Sequence, residues 1–142
     1  MRLQTFQTSV VNRIRQQLPR PLKTFHARSF FALVKIHYAD PKIHYEFAAR
    51  GAARLIEIGL HFEADKATND ALRAVFEQRA AEIKYALGAR VEVEEWTAAW
   101  SRVHEVVPYT TLDEKLVESV ALKTARMIAT LEPMVRKWQK KK

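Results

Sequence analysis

The chain contains no cysteine, which excludes disulfides, thiolate metal ligands and cysteine nucleophiles, and is the composition expected of a reducing, cytoplasmic setting. Glycine is almost as scarce. Gly51, Gly59 and Gly88 are the only three, too few and too scattered to build a dinucleotide fingerprint or a P-loop. No apolar run exceeds the short stretch around Phe30 to Val34, against the roughly 20 residues that a membrane-spanning helix needs. No Ser-His-Asp arrangement has a local signature. Acidic residues are absent from the first 39 positions, which carry Arg2, Arg13, Arg15, Arg20, Lys23, Arg28 and Lys35.

What is present suits one globular domain. A chain of 142 residues with 48% hydrophobic content is long enough to bury roughly 68–70% of its unfolded surface without staples. The net charge of +8 is uneven. Residues 1–50 carry nine Lys/Arg against two acids, residues 51–110 seven against ten, and residues 111–142 eight against four. Basic ends around an acidic middle attract phosphate backbones or anionic surfaces. An acid-free, Arg-rich start also has the composition of a mitochondrial presequence, but the segment is expected to be part of the domain of a cytoplasmic protein.

The most informative stretch is residues 43–63. Ile43-His44-Tyr45-Glu46-Phe47 and Leu55-Ile56-Glu57-Ile58-Gly59-Leu60-His61-Phe62-Glu63 both alternate apolar and polar, the period of a half-buried strand. A two-residue turn at Gly51-Ala52 closes them as a hairpin over 43–49 and 55–63. In that register Phe47 faces Ile56 and Tyr45 faces Ile58, while Glu46 faces Glu57 and His44 faces Gly59. Tyr45, Phe47, Ile56, Ile58, Leu60 and Phe62 are then core.

Around the hairpin, Phe6, Val10, Ile14 and Leu18 mark a helix over about 4–18, ended by Pro19 and Pro21. Residues 28–38 fit a helix better than a strand. A long helix follows over about 65–87, with Gly88 as a left-handed C-terminal residue. Strands are expected at Val91–Glu94 and Arg102–Val107. Thr111 and Glu114 form a capping box for a last helix, and Pro133 predicts a kink or break in it. The sum is a single α+β domain over residues 1–142: a basic helical segment over 1–40, then a sheet–helix core over 41–142. Its antiparallel sheet carries helices on one face in two layers and leaves the other face open.

Three constellations are candidates for chemistry. The polar sheet face gathers His44, Glu46, Glu57, His61 and Glu63, with Glu92, Glu94, Arg102 and His104 beyond them. Glu46, Glu57 and His61 are its catalytic candidates, and His44, Glu46, Glu57 and His61 its candidate metal ligands, from a donor set of oxygen and nitrogen. A solvated charged surface needing no cofactor is the expectation set against both. Trp96, Trp100 and Arg102 could stack on bases or cap a core. Arg13, Arg15 and Arg20 on the first helix could grip phosphates. Glu63-Ala64-Asp65-Lys66 is one residue too long for the acid-x-Lys element of a restriction-type nuclease.

The run from Leu55 to Arg102 resembles a bacterial domain family of unknown function, found alone or appended to restriction-endonuclease-like domains. The residues that carry the likeness are Ile56 to Phe62, Asn69, Glu82-Ile83, Leu87-Gly88 and Glu95-Trp96. The resemblance implies an accessory role near nucleic acid or a nuclease-type partner protein, and transfers no catalytic residue. The reading adopted is a binding module more than an enzyme, associated with nucleic acid through its basic termini. A protein-interaction or homo-oligomerisation module using the open sheet face, and a metal-dependent hydrolase on the His/Glu face, are the alternatives.

Overall fold

The computed structural model describes residues 1–141. Its elements run α1 (Leu3–Gln17), a single 3-10 turn (Arg20–Leu22), β1 (His26–Phe30), β2 (Leu33–His37), β3 (Ile43–Arg50), β4 (Leu55–Phe62), α2 (Lys66–Gln78), α3 (Ala80–Leu87), β5 (Glu92–Glu95), β6 (Ser101–Pro108) and α4 (Glu114–Lys140). The six strands form one antiparallel sheet in the order β1-β2-β3-β4-β6-β5. Among the described residues no helix is long and apolar enough to cross a membrane.

Alternation along β3 and β4 sends Ile43, Tyr45, Phe47, Ile56, Ile58, Leu60 and Phe62 to one face, and all seven are buried. Burial of each large apolar side chain stabilises the fold by about 1.5–3 kcal/mol, so this face dominates its stability. The helices cover it. Phe6 of α1 meets Phe47 edge-on at 6.5 Å, and Phe76 of α2 stacks on Phe62 at 5.5 Å. The apolar stripe of α4 is buried at Leu116, Val120, Thr124, Met127, Leu131 and Val135. The α+β, two-layer architecture follows.

The hairpin register differs from the expected one by two residues. The connection is the four-residue loop Gly51–Arg54, and Arg50 pairs with Leu55. Tyr45 therefore faces Leu60, Phe47 faces Ile58, Glu46 faces Gly59 and His44 faces His61. Arg54 sets the loop. It adopts φ 53°, its guanidinium donates to the Thr110 carbonyl, and its own carbonyl accepts from Tyr109 N at 3.0 Å, so the loop is pinned to the end of β6. A shift of two leaves every side chain on its expected face.

Residues 28–38 are not helical, and the basic N-terminal segment is helical only as far as Gln17 before its 3-10 turn. β1 and β2 form a tight hairpin whose left-handed residue is Phe31, φ 50°. Without glycine or asparagine at that position the turn gave no signal. The expected helix over 65–87 breaks at Arg79 (φ −109°, ψ 17°) into α2 and α3. Gly88 takes φ 113° with ψ 155°, a region open only to glycine but not the left-handed helical one. Asp113, not Thr111, caps α4, its carboxylate accepting from Leu116 N at 2.9 Å. The helix continues through Pro133, although proline can donate no bond to the Ala129 carbonyl.

Candidate functional site on the polar face of the sheet

Strand pairing aligns the opposite face into rows. One row reads His26, His37, His44, His61, Arg102 and Glu94 across all six strands. The next reads Arg28, Lys35, Glu46, Gly59, His104 and Glu92. Basic and aromatic groups gather toward β1, acids toward β5, and the centre mixes imidazoles with carboxylates.

The centre is built from a repeat, His-Tyr-Glu at 44–46 and His-Phe-Glu at 61–63. Antiparallel pairing sets His44 directly opposite His61, so Glu46 and Glu63 fall on opposite sides of the imidazole pair. The two rings stack at 5.6 Å. Glu46 Oε1 lies 2.8 Å from His44 Nε2 and 3.6 Å from His61 Nδ1. Glu63 Oε2 lies 3.3 Å from His61 Nδ1 and 3.6 Å from His44 Nε2. His44, Glu46 and His61 are buried and Glu63 nearly so, yet among the described residues His61 Nδ1 has no partner in good hydrogen-bond geometry. One ligand atom from each of the four residues lies within 4.8 Å of the others. Burial alone would push the Glu63 carboxyl up, but His61, His44 and Lys35 beside it outweigh that and hold it below its usual range.

Gly59 forms the floor. A Cβ there would stand 3.2 Å from His61 Nε2 and 3.0 Å from both His104 Cβ and the Val103 carbonyl oxygen. The roof is the β5–β6 turn, where the Trp96 ring meets His61 edge-on at 4.7 Å and the Arg102 guanidinium sits 4.8 Å over Trp96. Trp96 and Trp100, 6.1 Å apart, thus lie at the polar face instead of capping the apolar core. The buried side chain of Asn69 ties roof to centre, bonding Ala64 N, the Ala64 carbonyl and the Ala99 carbonyl at 2.9–3.0 Å. Glu94 Oε1 accepts from Arg102 Nε at 3.0 Å and lies 2.8 Å from His104 Nε2. Burial first, then Arg102, holds the His104 imidazole below its usual pKa.

The structure brings His44, Glu46 and His61 together, but not Glu57. Glu57 faces Ala48, one row away, and bonds Arg50 at 3.0 Å. The expected clash between Glu46 and Glu57 is absent because the register differs by two. Glu63 completes the group in place of Glu57, and the His-aromatic-Glu repeat was the sequence signal for it.

The arginines of α1 are engaged internally. Arg13 pairs with Glu114 and Glu118 of α4, and Arg15 bonds the Lys23 carbonyl at 2.7 Å with its guanidinium 3.9 Å over Phe25. Arg20 is exposed in the 3-10 turn. Exposed cations and rings gather instead on the β1–β2 hairpin. All five residues of β1 are exposed, His26 stacks on His37 at 5.0 Å, and Arg28 and Lys35 lie 5.2 and 5.7 Å over Phe30. Phe31 at the tip is 99% exposed. Comparison with protein-family models, curated proteins and solved structures finds no match.

Proposed function

We propose that the protein is an accessory module that binds single-stranded nucleic acid on the open part of its sheet, with the β1–β2 hairpin as the grip. The observation that carries this is the acid-free strip His26, Arg28, Phe30, Phe31, Lys35 and His37, exposed or half-buried at one edge of the sheet. Strands that bind single-stranded nucleic acid combine cations for phosphates with ring faces for bases, each stacked base contributing about 1–3 kcal/mol. The charge distribution favours the N-terminal part of the chain, where residues 1–50 hold +7 of the net +8, and Arg28 and Lys35 are the cations of that part that lie on the hairpin. The α1 arginines are less suited to the role, since Arg13 and Arg15 already hold α1 to its neighbours. This relocates the grip from the termini to the hairpin.

The test is fluorescence anisotropy with a labelled oligodeoxythymidine across a salt series. Log affinity should fall against log salt with a slope of about −0.7 for each phosphate neutralised. Arg28→Glu should weaken binding and make the slope shallower. Phe30→Ala and Phe31→Ala should weaken binding at every salt concentration and leave the slope unchanged. Arg13→Glu should change neither. Absence of binding at about 50 mM salt, or equal loss in Arg13→Glu and Arg28→Glu, would leave the protein-interaction reading ahead.

A further inference from the structure

We infer that His44, Glu46, His61 and Glu63 form a binding site for one divalent transition-metal ion of the zinc type. This does not depend on nucleic-acid binding. The four donors are two imidazoles and two carboxylates, a set suited to zinc and its neighbours and short of the six to eight oxygens that calcium takes.

The first support is the arrangement of protons. His44 Nδ1 lies 3.1 Å from the Pro41 carbonyl, which can only accept, so that nitrogen carries hydrogen and Nε2 is directed into the cluster. An imidazole fixed by a backbone carbonyl on its far nitrogen is the usual outer shell of a metal-bound histidine. His61 turns Nδ1 into the same space, 3.3 and 3.6 Å from the two carboxylates, with no partner in good hydrogen-bond geometry among the described residues. A buried nitrogen of this kind is costly unless something fills the position it faces.

The second support is dimension. The four nitrogen–oxygen separations of 2.8, 3.3, 3.6 and 3.6 Å bracket the edge, about 3.3 Å, of a tetrahedron with bonds of about 2.0–2.1 Å. The widest separation, up to 4.8 Å, must close by about 1.5 Å to reach that edge. Glu63 has that freedom at the rim, and Gly59 leaves the floor clear for the His61 ring.

The third support is charge. Two carboxylates, two neutral imidazoles and a divalent cation sum to zero, and a buried cluster is least costly when its charges cancel within it. With four protein ligands the coordination is closed, as in sites that hold a fold together, in contrast to hydrolytic centres that keep a position for water. The ion joins β3 to β4 under the Trp96 roof.

The experiment uses the full chain, stripped with chelator and titrated separately with zinc and cobalt(II), with magnesium as a control. Calorimetry should give one equivalent of zinc, with a rise in melting temperature that magnesium does not produce. Cobalt(II) should develop the strong visible bands of a four-coordinate ion. His61→Ala should lower affinity by at least the ~10–100-fold that loss of an outer-shell partner causes. Glu63→Gln, at the rim, should do the same and provides the ligand test should His61→Ala fail to fold. Glu57→Gln, on the same face but outside the cluster, should bind as wild type. His26→Gln should also bind as wild type, since it removes only the exposed His26–His37 pair. Lack of stoichiometric zinc and cobalt uptake overturns the inference. So does uptake that survives Glu63→Gln, or that is abolished by His26→Gln.

Discussion

Position 59 matters because its missing side chain shapes what surrounds it. Of the atoms a Cβ would meet, the Val103 carbonyl belongs to the neighbouring strand and cannot swing aside. Gly59→Ala should therefore cost about 1–3 kcal/mol, the usual range for overpacking, read as a lower urea midpoint with an unchanged slope. On the other face, Glu132 of α4 accepts from Tyr45 and Arg136, each at 3.0 Å. Burial raises its carboxyl above the ordinary 4.5, although Arg136 and Tyr45 pull it down. The native chain then keeps a proton that the unfolded chain releases above about pH 4.5, so this group's contribution to stability falls as pH rises from there through the raised value. Tyr38, near Glu132 and Arg136, is itself pushed upward chiefly by burial and does not titrate in that window. Urea midpoints over about pH 4 to 7 should fall less steeply in Glu132→Gln than in wild type. Neither residue was legible as special. Gly59 was one apolar-neutral position in an alternating strand, and Glu132 one acid on a long helix.

Elements were legible where one periodicity held for long enough. The alternation of β3 and β4 and the stripe of α4 place their core residues correctly, because burial selects a face and tolerates errors in turn geometry. Reading failed where the punctuation was missing or ambiguous. The β1–β2 turn lacks glycine and asparagine, and the Gly51-Ala52 signal pointed to a two-residue loop where Arg54 enforces four. The candidate centre was half legible for the same reason: the face was right, but opposition of His44 to His61 depends on the loop. Two side chains hold the elements in place around it. Asn69→Ala would strand three backbone groups, Ala64 N and the carbonyls of Ala64 and Ala99. At about 1–3 kcal/mol for each buried group left unsatisfied, it should lower the melting temperature and shift the tryptophan emission, through Trp96 and Trp100, as the β5–β6 turn loosens. Asp113→Ala removes only a cap, and should cost about 0.5–2 kcal/mol with the tryptophan emission unmoved. The pair of spectra separates roof from scaffold.

At the scale of the molecule, the α+β class was legible and the strand count was not, since the basic N-terminal segment contributes two strands. Those strands polarise the sheet. Its β1 edge carries His26 and Arg28, while its β5 edge carries Glu92, Glu94 and Glu95, paired with Lys84, Arg102 and Arg73. An open sheet exposes unpaired backbone groups at both edges, and a charge in mid-strand is a common device against edge-to-edge association. Arg28 occupies the middle of β1. Arg28→Val should therefore raise self-association, seen as sedimentation more strongly concentration-dependent than that of the wild-type chain. Unchanged sedimentation would mean that the exposed rings and the twist of the hairpin protect the edge without it.

The loop between β3 and β4 bears on how this chain can vary over time. Paired residues share a face, so this connection can lengthen or shorten without disturbing the buried face as long as it still closes Arg50 against Leu55, whereas a one-residue slip of that pairing would invert the face. Gly51–Arg54 is exposed over most of its length and could lose Ala52 and Ala53 together without disturbing the core. Loss of one alone would leave three residues, a length that closes as a turn followed by a left-handed residue, the conformation Arg54 already holds. Insertions and deletions at this site should therefore be tolerated wherever the Arg50–Leu55 pair can still close, and a library of loop-length variants sorted for folding should show survival that follows closure of that pair, not the parity of the change.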